Sequence, residues 1–181
     1  VVLDHAIRIG PKGWEQLAID WIRAQLADDC LLWRVASVHQ AATIDLEFAI
    51  RKLEPDAVIE LVTHHDVPMQ ANVDHPDRLG IDRLLSAYAA ANRFGSPIVV
   101  VDAGSAVTVD WVDQRGHFGG GAFLPGLGLQ SRSLQRETEA LPQLPWDSET
   151  EIRLPAKNTT DAIRSGILIG ISSAIDEMIA L

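Results

Sequence analysis

Apolar and polar positions along this chain follow two periods, one near two residues and one near 3.6, and the period switches repeatedly. Residues 1–9 (VVLDHAIRI) read as a strand, 13–26 as an amphipathic helix, 31–38 as a strand, 43–53 as a helix and 57–63 as a strand. Such alternation predicts an α/β fold. The polar stretch 64–79 then runs through Pro68, Asn72, Asp74, Pro76 and Asp77, a loop longer than connections usually are. A helix is predicted over 81–94, closed by Gly95 with Pro97 beyond it.

The centre of the chain reads as hairpins. Ile98, Val99, Val100 and Val101 form a continuous β-branched run, which suits a strand buried on both faces and not an edge, and Asp102 ends it. Ala103, Gly104 and Ser105 make the turn. The following strand, 106–112, sets Val107, Val109 and Trp111 against Thr108 and Asp110, a half-buried alternation. After a second turn at 113–116 come three consecutive glycines, Gly119, Gly120 and Gly121, then Pro125-Gly126 before a helix over 127–138. A proline-rich connector leads to a last apolar helix over 162–181, with Asn158 or Thr159 as its cap. Two lobes are expected, 1–97 and 98–181.

Composition narrows the function classes. The chain has 181 residues, 47% hydrophobic, with 25 acidic against 15 basic side chains and a formal net charge of −10. So acidic a surface disfavours nucleic acid and anionic membrane, which both select Lys and Arg clusters. An anionic small molecule would need backbone amides, single arginines or bound cations. The last helix is interrupted by Arg164, Asp176 and Glu177 and is not a membrane span. Cys30 is the only cysteine, so no intrachain disulfide is possible and a reduced, cytoplasmic setting fits.

Two places carry candidate chemistry. At the Asp102 turn, glycine allows close backbone approach to a ligand and the Ser105 hydroxyl can donate to a phosphate oxygen, although Asp-x-Gly is equally an ordinary turn sequence. Residue types alone leave both readings open. Gly80-Ile81-Asp82-Arg83 opens the middle helix, where Asp82 can accept a proton and Arg83 clamp an anion; first-turn helix electrostatics would select the same residues. His64-His65-Asp66 does not make a zinc site, because adjacent histidines in a strand point to opposite faces, and a solvated strand end is expected. The five tryptophans read as core or interface. There is no G-x-x-x-x-G-K-[ST], no complete dinucleotide fingerprint and no G-x-S-x-G.

Taken in order, PDRLGIDR, DAGSAVTVD, GHFGGGAFLPGLGLQSRSL, TEALP and NTTDAIRSGILIG resemble type III pantothenate kinase. The resemblance implies two ribonuclease-H-like lobes of the actin, sugar kinase and Hsp70 superfold, and a homodimer. It implies transfer of the γ-phosphoryl group of ATP to pantothenate, toward coenzyme A. Gly80, Ile81, Asp82 and Arg83 inherit contact with pantothenate, with Asp82 as proton acceptor. Asp102 matches the ligand of a monovalent cation, K⁺ or NH₄⁺, while Mg²⁺ accompanies ATP. Gly104 and Ser105 fall at the ATP-contacting turn, where Ser105 replaces a threonine and keeps its hydroxyl, and Thr159 matches a substrate-contacting threonine. Family members also carry an Asp-x-Gly-Asn-[Thr/Ser] phosphate loop ahead of these motifs and a Gly-Gly turn after them. Neither is in this sequence, so segments before Val1 and after Leu181 are expected to be missing. If they are not, ATP should bind poorly. The alternatives are a non-catalytic regulatory or accessory relative, and a kinase or phosphohydrolase of the same superfold with another acceptor.

Overall fold

The computed structural model describes residues 9, 12–25, 32–146 and 152–181. The strand expected over 1–9 therefore lies, apart from Ile9, outside the described residues, as do Cys30 and Leu31. The described elements mix helix and strand, as the alternation predicts. Contacts divide the chain into one unit of residues 1–68 with 77–82 and another of 69–76 with 83–181. The helix expected over 81–94 counts with the second unit from Arg83 onward.

In the first unit, α1 (Trp14–Gln25) and α2 (Gln40–Leu53) accompany β1 (Leu32–Val35) and β2 (Val58–Leu61). The strands are parallel, with Leu32 opposite Val58 and Val35 opposite Leu61, so α2 is the crossover that parallel pairing requires. Ile19, Trp33, Ala49 and Ile50 form the core between helices and strands. Trp33 keeps its indole N–H satisfied by donating to Glu54 at 3.2 Å, and Glu54 also receives Arg23 at 2.8 Å. Helix α2 starts at Gln40, ahead of the expected residue 43, because the ring Nδ1 of His39 accepts the Ala42 N–H at 3.1 Å. Histidine is not among the residues that usually announce such a cap.

Beyond β2 the expected strand end at His64-His65-Asp66 is a short 3₁₀ turn. The two imidazoles do not diverge; their centroids lie 3.9 Å apart. Asp66 holds the turn by accepting the Thr63 N–H and hydroxyl, each at 2.8 Å. Those two donors, the backbone one foremost, keep its carboxyl below the ordinary carboxylate range.

The second unit contains the expected hairpins. Strands β3 (Ile98–Ala103), β4 (Ala106–Val112) and β5 (Phe118–Pro125) form an antiparallel sheet in the order β3-β4-β5. Helix α3 (Ile81–Phe94) precedes it; α4 (Leu127–Glu137) and α5 (Thr159–Ala180) follow. As expected, Gly95 closes α3, its N–H donating to Ala91 at 2.8 Å with a φ of 88°. Asn158, one of the two expected caps, caps α5 by accepting the Asp161 N–H at 2.9 Å, so the helix begins at Thr159. The polar loop before α3 is not free of the sheet: Phe118 donates to Gln70 and Asn72 donates to Phe118, both at 2.8 Å.

Two expectations about this sheet need correcting. Among the described residues the β-branched run of β3 pairs with β4 alone, half-buried at Ile98 to Val100 and exposed from Val101 onward, whereas β4 pairs on both sides and is buried. A run of valines specifies a strand but not how many neighbours it has. Nor does Asp102 end β3; it pairs with Thr108, and the strand runs on to Ala103.

Register separates the two faces of the sheet. Side chains opposite one another share a face, so Val100, Asp102, Thr108, Asp110, Gly121 and Phe123 lie on one side. Val107 and Leu124 lie on the other, packed with Leu144, Ile163, Ile167 and Ile171 of the core formed with α5. One face is therefore apolar core, while the opposite face carries the carboxylates.

Candidate functional site

Gly80 and Ile81 lead into α3, and Ile81 is buried, which pins the start of the helix. Asp82 is exposed. Its carboxylate folds back over Gly80 so closely that a Cβ at residue 80 would overlap Asp82 Oδ1. The glycine thus leaves this carboxylate room, and a carboxylate exposed at a helix start can accept a proton from a nearby hydroxyl.

Arg83 points to a different partner from the free anion its sequence context suggests. Its guanidinium engages Asp110 on β4: Nε donates to Oδ1 at 3.0 Å and to Oδ2 at 3.2 Å, and NH2 makes a further short contact with Oδ1. The Asp110 side chain is 2% exposed and that of Arg83 14%. The Phe123 ring lies 4.4 Å and the Phe118 ring 5.5 Å from the guanidinium carbon, within cation-π range. A planar guanidinium held by two nitrogens and flanked by two rings has little rotational freedom.

The glycine run makes this possible. A Cβ at Gly121 would overlap the Asp110 carboxylate, the Val109 carbonyl and Arg83 NH2. Asp110, read from sequence as the polar side of a half-buried strand, is in fact buried because Arg83 covers that side. Asp110, Gly121 and Phe123 are the residues the sequence reading missed. Their signal was confined to the spacing of motifs, since the partner of Asp110 is 27 positions away.

At the β3-β4 turn, Asp102, Gly104 and Ser105 are all exposed. The turn is closed by Gly104 N–H donating to Ala106 at 3.0 Å and docked on the start of α4 by Gly126 N–H donating to Ser105 at 3.1 Å. Gly126 is required there, because a Cβ would overlap the carbonyl oxygens of Gly104 and Ser105. The arrangement places Ser105 beside the start of α4, and a hydroxyl residue next to a helix N-terminus is a combination suited to phosphate oxygens. Asp102 adds one carboxylate on the Arg83 face of the sheet. No group of three or more His, Cys, Asp or Glu suited to a metal occurs among the described residues. One carboxylate with turn carbonyls is an all-oxygen donor set, which fits a weakly held hard cation and not zinc.

Comparison with known proteins decides what this constellation belongs to. Residues 16–181 match the family profile described as type III pantothenate kinase. The chain is a member of that family. It is 41% identical over 156 residues to the type III pantothenate kinase of Rhodopirellula baltica, covering 84% of this chain and 57% of that protein. Against the type III pantothenate kinase of Persephonella marina it is 31% identical over 162 residues, covering 90% of this chain and 62% of the relative. The chain thus spans about three-fifths of the length of these relatives. Among solved structures, a conserved Baf family protein from Campylobacter jejuni superimposes with a TM-score of 0.56 at 23% identity, over 88% of this chain and 68% of that one. That likeness is one of fold.

Within this pantothenate kinase family member, Thr159 is the first residue of α5 and is exposed. It lines an open groove of about 570 Å³ with Leu141, Lys157, Asn158 and Ile163. The sequence-predicted residues fall in both contact units. Gly80, Ile81 and Asp82 count with the first; Arg83, Asp102, Gly104, Ser105 and Thr159 count with the second. No described helix is long and apolar enough to cross a membrane.

Proposed function

We propose that the protein takes part in ATP-dependent phosphorylation of pantothenate to 4'-phosphopantothenate, with Asp82 as the proton acceptor. The observation that carries this reading is the Gly80-Asp82 arrangement at the head of α3 in a chain of this family. Gly80 leaves room for the carboxylate to lie back over the chain, and Asp82 is exposed at the head of the helix. In the reaction the pantothenate hydroxyl oxygen forms a bond to the γ-phosphorus and the bridging bond to ADP breaks. The hydroxyl proton passes to Asp82. Phosphoryl transfer demands mainly positioning and charge neutralisation, so a positioned carboxylate suffices.

Gly80, Ile81, Arg83 and Thr159 contact pantothenate in this reading, and Gly104 and Ser105 contact the phosphates of ATP. Asp102 would hold the monovalent cation; that cation and Mg²⁺ supply positive charge to the polyphosphate, which a chain of net charge −10 otherwise repels. Lobes of the ribonuclease-H type, a homodimer and a cytoplasmic setting belong to the same reading. They are supported by family membership, by the mixed α/β elements and, for the compartment, by the single cysteine.

The experiment is incubation with ATP, Mg²⁺, K⁺ and pantothenate, with mass spectrometry of the products. Phosphopantothenate and ADP in equal amounts are expected. Hydrolysis of ATP without phosphopantothenate, or phosphorylation of simple sugars in its place, would refute the assigned acceptor, because a site built to satisfy an amide and a carboxylate rejects compounds lacking them.

A further inference from the structure

Arg83 and Asp110 come from an α-helix and a central strand, and their contact is unusually well specified. Three nitrogen-to-oxygen contacts join them, both side chains are largely buried, and Phe123 caps the guanidinium plane. Gly121 is compelled by the same contact, since any side chain there would enter it. So much of the local structure converges on one guanidinium that its orientation is fixed before any ligand arrives. Preorganisation of this kind lowers the ordering cost of binding. Its absence is expected to weaken ground-state affinity for the molecule that Arg83 meets, without slowing the chemical step.

We propose that Asp110, assisted by Phe123, is the positioning residue for Arg83, holding the guanidinium in the one orientation that receives pantothenate. The proposal rests on the reading of Arg83 as a pantothenate contact and goes beyond it by naming what aims that contact. Asp110 itself touches no substrate. It also has a consequence for the charge at the site: a bidentate carboxylate balances the guanidinium, so Arg83 offers directed N–H donors more than net positive charge.

The test is steady-state kinetics with pantothenate and ATP varied separately, together with calorimetric titration of pantothenate, on wild type, Asp110→Asn, Phe123→Leu, Arg83→Gln and the Arg83→Gln/Asp110→Asn double variant. Asp110→Asn is expected to raise KM and Kd for pantothenate about tenfold, with kcat and the KM for ATP within about twofold of wild type. Phe123→Leu, at an exposed position that does not threaten folding, is expected to move the same two constants about threefold. The double variant should be no weaker than Arg83→Gln alone, since the carboxylate acts only through the arginine. Unchanged pantothenate constants in Asp110→Asn and Phe123→Leu, beside a raised KM in Arg83→Gln, would overturn the proposal and leave the role of Arg83 intact. Unchanged constants in Arg83→Gln as well would overturn the underlying reading. Should Asp110→Asn fail to fold, Phe123→Leu decides: wild-type constants there contradict the proposal.

Discussion

Asp102 and Asp110 sit on one β-hairpin and on one face of its sheet, yet the protein uses them oppositely. Asp110 is buried on the central strand, enclosed by Arg83, Phe123 and the backbone at Gly121. Asp102 is exposed near the end of β3, beside a turn whose shape is set by backbone hydrogen bonds and by the close approach of Gly126. Burial without a partner would be prohibitive for Asp110, whereas Asp102 keeps its hydration and can exchange water for a cation. Side-chain packing builds the Arg83 region; backbone geometry builds the Asp102 turn.

Removing each carboxylate in turn breaks that comparison most sharply. Asp110→Ala removes the buried carboxylate from a largely buried ion pair, and chemical denaturation should find the protein less stable by about 3–5 kcal/mol. Asp102→Ala should change stability by no more than about 0.5 kcal/mol, as exposed substitutions do. Equal losses would show that the two aspartates are not differently employed.

Gly121→Ala comes next. Its methyl group meets a carbonyl oxygen as well as the ion pair, so the strand must shift, at about 1–3 kcal/mol in the same denaturation experiment. Gly104→Ala, whose Cβ would find its nearest neighbour at 3.7 Å, is the control and should be nearly neutral.

A functional contrast sharpens the exposed side. Asp102→Asn is expected to abolish the dependence of turnover on added K⁺ while leaving the melting temperature in place; turnover that still follows K⁺ would remove Asp102 as the cation ligand.

The smallest expected effect is a pH dependence at the next turn of the same sheet. Asp113 accepts the N–H of Arg115 at 2.8 Å and of His117 at 2.9 Å, and the His117 bond foremost holds its carboxyl below the ordinary value of 3.8. A carboxylate depressed by folding stabilises fully above its unfolded pKa, and that contribution fades as pH falls through the lower folded value. Amide exchange at Arg115 and His117, read by NMR, should therefore keep its protection down to pH 3.8 and lose it only below. Loss beginning well above 3.8 would contradict the assignment.

Much of this fold is legible along the chain, and the failures share a cause. Helix α3 and strand β4 lie where periodicity and caps put them, because a continuous local pattern determines both. The start of α2 was not legible, since its cap is a histidine ring. The exposure of β3 was not either, because a valine run reads the same whether its faces are covered or open. In the site, the G-x-D-R segment and the Asp102 turn carry recognisable local spacing. Asp110 does not, for its meaning depends on an arginine from another element that only the folded chain brings to it.

Whether Asp82 accepts the proton in phosphoryl transfer to pantothenate is decided by comparing turnover of wild type and Asp82→Asn under saturating ATP and pantothenate, with thermal melting of both. A positioned general base contributes about 10²–10⁴-fold. The account predicts a loss of phosphopantothenate formation in that range with no change in melting temperature. Turnover of Asp82→Asn equal to wild type would contradict it.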